Sequence, residues 1–367
     1  MSDHTHIEWT DATWNPITGC SVVSAGCKHC YAMRLAGTRL RHHPSRAGLT
    51  RPTAAGPVWT GDVRFNADWL DQPLRWKKPR RIFVCAHGDL FHEAVPGEWI
   101  DRVFAVMALA PQHTFQVLTK RPERLRDHLT APDAPNRIHA AIVNHIKASV
   151  RTNIAALNRA ADWLYAHLPN GDGFMRSWPL HNVWLGVSVE NQATADERIP
   201  LLLQTPAAVR FISAEPLLGA VDLASSLPIE TIGGVEMEAW LDWVIAGAES
   251  GPGARPSHPD WFRALRDQCQ AADVPFFFKQ WGGWWPINQM ADSDALYKPA
   301  PEHDPEASRI CTVEYSVLHH DGQQYGLLNR EAFEQKSSPM QVFRVGKRRA
   351  GRLLDGREWN EFPAVAP

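Results

Sequence analysis

R-I-F-V-C-A-H-G-D-L at residues 81–90, with P-G-E-W-I-D-R-V-F-A-V-M-A-L-A at 96–110 after it, decides how the chain is read. Its first part is an apolar run that ends in Cys85, His87, Gly88 and Asp89. A short continuous apolar run closed by turn residues reads as a strand buried on both faces. The second part repeats apolar residues three and four apart behind Pro96, which reads as an amphipathic helix.

The same pattern recurs along the chain. T-F-Q-V-L-T-K-R-P at 114–122 is a strand closed by Pro122, and N-V-W-L-G-V-S-V-E-N at 182–191 is another, followed by the helical A-D-E-R-I-P-L-L-L-Q. V-R-F-I-S-A-E-P at 209–216, D-W-V-I-A-G-A-E-S-G at 242–251 and V-P-F-F-F-K-Q-W-G at 274–282 repeat it. A first strand around W-N-P-I-T-G, before Cys20, completes the set. Apolar strands alternating with helices predict an α/β fold, a partial (β/α) barrel of about six to seven parallel strands. Residues 1–283 form this barrel, with a helical insertion at about 132–178. Residues 284–367 are read as an irregular, Pro- and Asp-rich extension packed on it.

Composition narrows the function classes. The 44% hydrophobic and 21% charged content suits a soluble globular protein, and a net charge of −2 removes any global polycation. Two basic clusters remain, R-W-K-K-P-R-R at 75–81 and R-V-G-K-R-R-A-G-R at 344–352. They are either solvated faces or attractors of a phosphate-bearing partner. M-S-D-H-T-H-I-E-W-T lacks the apolar core of a signal peptide, and no apolar run is long enough to span a membrane. The unevenly spaced cysteines do not suit a disulfide scaffold, so a cytoplasmic protein without membrane association is expected.

Polar residues gather where each strand ends: Cys85, His87 and Asp89; Thr119 and Lys120; Ser188, Glu190 and Asn191; Ser213 and Glu215; Glu249 and Ser250; Lys279 and Gln280. Parallel α/β sheets bind ligands at the carboxyl ends of their strands, so a shared functional rim is expected. Taken singly, each of these residues is equally a helix cap or a structural hydrogen bond.

G-C-S-V-V-S-A-G-C-K-H-C-Y-A at 19–32 places Cys20, Cys27 and Cys30 at a C-x6-C-x2-C spacing. A closed zinc site wants four ligands, which His29, His42 or His43 would have to complete. An iron–sulfur cluster on three thiolates leaves one iron without a protein ligand. That vacancy serves a ligand that binds the metal directly, as S-adenosylmethionine does in radical enzymes.

The G-C-x-x-C-Y-A ending resembles the cluster loop of the radical S-adenosylmethionine superfamily. I-E-W-T-D-A-T-W-N-P-I-T-G-C, P-Q-H-T-F-Q-V-L-T-K-R-P-E-R, L-G-V-S-V-E-N, F-I-S-A-E-P-L-L-G, G-A-E-S-G-P-G-A-R-P and G-K-R-R-A-G-R-L-L-D-G-R-E-W are similar to segments of a largely uncharacterised family of phage and prophage proteins. That family carries three cysteines and is regarded as a divergent branch of the superfamily. The chain departs from the usual C-x3-C-x2-C spacing, and His29 stands where an aromatic residue usually precedes the third cysteine.

The resemblance implies a [4Fe-4S] cluster on Cys20, Cys27 and Cys30, S-adenosylmethionine as cofactor and an external electron donor. It places Gly88 and Asp89 near the methionyl amino group, and Ser188, Glu190 and Asn191 near the ribose. Gly247, Glu249 and Ser250 lie near the adenine and methionyl part. Cys85, Glu215 and Lys279 are the candidates for chemistry, Cys85 as hydrogen-atom donor or extra ligand.

Two other classes compete. Paired carboxylates among Glu190, Glu215 and Glu249 suit a barrel hydrolase, which leaves the cysteines unexplained. The basic clusters and 16 tryptophans suit a zinc-stabilised nucleic-acid-binding module. Trp184 and Trp243 sit in apolar runs and are expected in the core. Q-W-G-G-W-W-P at 280–286 reads as a loop whose rings stack on a base, favouring a nucleic acid or nucleotide substrate, or else as a packed lid. Cys269 is expected as a buried small hydrophobe on a helix.

Overall fold

A computed structural model describes residues 5–150, 178–227, 240–290, 296–299 and 309–364. Seven strands form the main sheet: β1 (Ala12–Trp14), β2 (Arg81–Val84), β3 (Thr114–Thr119), β4 (Val183–Ser188), β5 (Val209–Ala214), β6 (Trp243–Gly247) and β7 (Phe276–Gln280). They lie in the sheet in chain order. A doubly wound sheet reverses its strand order at a switch point, whereas a (β/α) barrel adds every strand on the same side. The observed order is the barrel's, left open between β1 and β7, so the fold is the α/β partial barrel that the sequence pattern predicts.

Helices α1 (Tyr31–Gly37), α2 (Gly97–Ala108), α3 (Pro122–Thr130), α4 (Ala134–Val150), α5 (Gln192–Leu203) and α6 (Pro259–Ala271) follow from local signals. Pro122 and Pro259 stand in the first turns of α3 and α6, where a missing N–H costs nothing. Asn191 and Thr194 cap α5 reciprocally, each side-chain oxygen accepting the other's backbone N–H at 3.1 Å. Every residue of β4 and of β6 is buried, which is why these strands read as unbroken apolar runs. Trp184, Trp243 and Cys269 are core residues, as expected. Of the expected helical insertion, α4 is described; residues 151–177 lie outside the described residues. No helix among the described residues is long and apolar enough to cross a membrane.

The chain divides into two compact units, one of residues 1–188, 197–212 and 237–241, the other of 189–196, 213–236 and 242–367. In the second unit, residues 284–344 hold a four-stranded antiparallel sheet of Trp284–Pro286, Met340–Arg344, Tyr315–Leu318 and Gln324–Tyr325. These strands of two to five residues are too short to show a period in sequence, which is why the segment reads as irregular. Residues 353–361 cover β7: Trp359 O accepts from Phe278 N at 3.0 Å, and Leu353 O accepts the Trp281 indole at 2.8 Å.

Two of the three tryptophans of the aromatic tract, Trp281 and Trp284, are packed. Trp281 is 1% exposed and meets the rings of Phe262 and Phe278 at 5.2 and 5.0 Å. Trp284 is buried and donates its indole N–H to Ala254 O at 2.6 Å. The glycines that suggested a loop serve close packing instead: at Gly282, φ +68°, a Cβ would lie 2.1 Å from Glu249 O.

Inside β4, Gly186 faces Phe211, whose ring atoms would lie 2.6 Å from an added Cβ. Gly186→Ala is therefore expected to destabilise the protein by about 1–3 kcal/mol, read as a lower urea midpoint. An unchanged midpoint would show that the ring moves aside freely.

Candidate metal and cofactor site

Backbone approach builds the frame of this site. After β1 the chain turns at Asn15 and Pro16, and Ile17–Thr18 pairs with Arg64–Phe65. Gly19 follows at φ +98°, where a Cβ would lie 2.2 Å from Asp62 O. Gly19 and Gly88 form a parallel bridge, and a Cβ on Gly88 would lie 3.0 Å from Gly19 O. Glycine at both positions brings the segments after β1 and β2 together. Cys85 adopts φ +56°, its N–H bonded to Trp14 O at 2.7 Å and its carbonyl to Gly88 N at 2.9 Å.

The long gap between the first two cysteines carries its own structure. Ala25–Cys27 forms a single 3-10 turn, Ser24 O accepts Cys27 N at 3.0 Å, and Cys27 O accepts Cys30 N at 3.2 Å. Cys30 then stands at the start of α1. The last residues of the gap thus wind into a turn instead of running extended. Cys20, Cys27, Cys30, Cys85, Gly88, Asp89 and Ser188 all line one cavity of about 140 Å³, together with Tyr31, Lys120 and Arg121.

Asp89 and Arg121 lock the cavity wall. Arg121 Nη1 donates to Asp89 Oδ2 at 3.0 Å, with both side chains buried. Asp89 Oδ1 accepts from Phe91 N at 3.0 Å and Thr119 Oγ1 at 2.7 Å, and Oδ2 also accepts from Lys120 N at 3.1 Å. The carboxylate expected at the methionyl amino group thus already holds four donors. Arg121 reaches onward to Ser21 Oγ at 2.6 Å, Glu93 Oε1 at 3.0 Å and the Cys20 sulfur at 3.5 Å. Burial opposes the Arg121 charge, but Asp89, Cys20 and Glu93 outweigh it and hold its pKa above the ordinary value.

Burial, then Asp89, pushes the Cys20 thiol up to about 12 against the pull of Arg121. Burial does the same to Cys85, also to about 12, and raises Cys30 against hydrogen bonds from Met33 and Ala32. Burial thus favours the neutral thiols, and a metal cation beside them would favour the thiolates. Among the described residues, no three His, Cys, Asp or Glu side chains converge as a ready-made set for one metal ion. The histidines expected to complete a zinc site do not line the cavity: His43 Nδ1 lies 2.7 Å from Ser45 Oγ, and His42 Nε2 accepts from Arg41 Nε at 2.8 Å. A thiol-rich wall with one guanidinium against it fits an iron–sulfur cluster by its donor chemistry.

The other expected site residues belong to the second unit. Lys279 Nζ donates to both oxygens of Glu215 at 2.7 and 2.8 Å, and Gln280 Nε2 adds a bond to Oε1 at 3.1 Å. Gly247 gives this pair room, since a Cβ there would lie 3.4 Å from Glu215 Oε1. Glu249 is buried and accepts from the Nε and Nη2 of Arg255 at 2.9 and 2.8 Å. Glu190 is buried, Asn191 serves the α5 cap, and Ser250 is exposed. Arg121 and Arg255 were not among the expected residues; Arg121 lies two residues after β3 and Arg255 eight after β6, where charged residues are ordinary loop sequence.

In the metal-free fold Cys85 is a neutral thiol whose pKa lies above its ordinary 9.0. A raised acid stabilises the fold fully below pH 9, and the gain is lost as pH climbs toward about 12. Cys85→Ala should therefore make the alkaline fall in urea midpoint shallower; identical slopes for both proteins would contradict this.

A comparison with solved structures finds a mutant of spore photoproduct lyase, 10% identical, covering 78% of this chain and 64% of that one, with a TM-score of 0.30. The match spans less than two thirds of that chain. Comparison with curated proteins returns no match. The model of a family described as a protein of unknown function, DUF5131, matches residues 4–363, and the chain belongs to that family.

Proposed function

We propose that the chain is a radical S-adenosylmethionine enzyme whose [4Fe-4S] cluster is held by Cys20, Cys27 and Cys30. The observation that carries this reading is that the three thiols of one loop line one cavity with the ends of β2 and β3. Held by these thiols and reduced from outside, a cluster would supply the one electron that breaks the S–C5′ bond of S-adenosylmethionine, giving methionine and a 5′-deoxyadenosyl radical.

The chain's own residues have separate tasks in this reading. Arg121 balances thiolate charge at Cys20 and fixes the loop through Ser21. Gly88 keeps the cavity wall free of a side chain, and Ser188 offers a hydroxyl to the ligand. Asp89 positions Arg121. Glu190, Gly247, Glu249 and Ser250 are assigned to the cofactor's ribose and adenine side, with Asn191 acting through the α5 cap. Lys279 and Glu215 form an acid–base pair able to hold a proton between Nζ and Oε1. The reducing electron comes from an external donor. A phosphate-bearing substrate, nucleic acid or nucleotide, is favoured by the exposed Lys347, Arg348 and Arg349.

A second reading is favoured by Cys85, which lines the same cavity. Four thiols would close the cluster and leave an electron-transfer protein. A hydrolase is disfavoured, because Glu215 and Glu249 are engaged in ion pairs with Lys279 and Arg255.

Anaerobic reconstitution with iron and sulfide analysis separates these readings. The radical reading expects about four irons per chain, lost in Cys27→Ala and kept in Cys85→Ala, with 5′-deoxyadenosine released under reductant. Zinc alone, or iron lost in Cys85→Ala, would overturn it.

A further inference from the structure

Arg46 is a buried cation, 4% exposed, that no carboxylate among the described residues balances. Its Nη1 donates to Ser45 O at 3.4 Å and Ser45 Oγ at 2.6 Å, while Nε has no acceptor. The Trp69 ring lies 5.8 Å away and offers only a weak cation–π contact.

The charged and titratable groups that face Arg46 are Tyr31, Cys85, Arg64 and His87. None is a carboxylate, and Arg64 adds a second positive charge. Arg64 donates to the carbonyls of Pro44 and Ala47, again with no acidic partner among the described residues. Burial, with Arg64 opposing Tyr31 and Cys85, leaves the Arg46 pKa lowered to about 10. Burial and the Arg46 charge push His87 down to about 4, and its Nδ1 has no hydrogen-bond partner.

This group borders the cysteine-lined cavity. Tyr31 and Ala86 line that cavity; Tyr31 donates its hydroxyl to Ala86 O at 2.5 Å and meets the His87 ring edge-on at 5.8 Å. Tyr31 is itself 53% exposed, so solvent reaches this side of the wall.

A charge buried without a partner destabilises a fold, and an apolar residue of similar size would serve packing better. Arg46 therefore makes physical sense when an anion completes it. Two guanidiniums and an orphan imidazole nitrogen suit a group with several charged oxygens, and a planar guanidinium matches phosphate oxygens in pairs.

We propose that Arg46, with Arg64 beside it, receives a phosphate group of the substrate next to the cysteine-lined cavity. The inference rests on the proposed function only in calling that group part of a substrate. Its test needs no cluster and no S-adenosylmethionine cleavage, so failure of either reading is seen separately.

The full chain, Arg46→Met and Arg46→Lys are compared by thermal unfolding at constant ionic strength. The probes are inorganic phosphate, AMP, a short single-stranded oligonucleotide and, as a control, acetate. Phosphate is expected to raise the unfolding temperature of the parent protein saturably, and acetate is not. Arg46→Met should unfold no lower than the parent without phosphate and should lose the phosphate response. Arg46→Lys, which keeps the charge but not the fork, should bind phosphate about tenfold more weakly. A stronger response to AMP than to the oligonucleotide identifies a nucleotide as the source, and the reverse identifies a strand. A parent protein indifferent to all three phosphate probes overturns the proposal, as does an equal response to acetate. A destabilised or unfolded Arg46→Met does so too, because it assigns the arginine a structural role.

Discussion

The buried ion pair between Asp89 and Arg121, 3.0 Å long, is the contact on which the cysteine-lined cavity depends. It joins the ends of two strands to the loop that carries Cys20, through Thr119, Lys120 and Ser21. Breaking a buried pair by removing one partner costs about 3–5 kcal/mol, because the survivor keeps its charge without solvation. Here the survivor would also be misplaced. Arg121 without Asp89 would lose its anchor beside the Cys20 sulfur, and Asp89 without Arg121 would add unbalanced negative charge beside a thiol that burial already keeps protonated.

Electrostatics and backbone geometry act together at this site. Gly19 and Gly88 bring the segments after two adjacent strands into a bridge, and a Cβ at Gly19 would collide with Asp62 O at 2.2 Å. Burial, first among the causes, raises both the Cys20 and the Cys85 thiol to about 12. A site of this kind is poor at holding bare thiolates and well suited to holding them against a metal's positive charge. Arg46 is conspicuous beside them, since its charge is buried and no acid among the described residues balances it.

The strands were legible because both of their faces are covered. Val183–Ser188 and Trp243–Gly247 are buried at every residue, so the apolar runs carry an unambiguous signal. β1 falls a few residues earlier than W-N-P-I-T-G suggests, because Pro16 ends the ladder and Ile17–Thr18 pairs with Arg64–Phe65 instead. The cysteines stood out in sequence by their spacing; in the fold they line one cavity, and the gap between the first two ends in the turn at Ala25–Cys27. Arg121 was not legible, since its role comes from partners 28 to 101 residues away. The tract at 280–286 left two readings open, a stacking loop or a packed lid, for a related reason. Glycine beside tryptophan looks the same in sequence whether it gives a loop freedom or lets a buried ring come close, and the 2.1 Å clearance at Gly282 decides for packing.

In the proposed reading, three thiols leave one metal position open to S-adenosylmethionine. The direct measurement is electron paramagnetic resonance of the reduced, reconstituted protein before and after S-adenosylmethionine is added. An open position predicts that the cofactor changes the cluster signal, and that S-adenosylmethionine labelled with nitrogen-15 in its amino group adds a nitrogen coupling. A signal indifferent to the cofactor would contradict the account and leave a closed cluster on four thiols in its place.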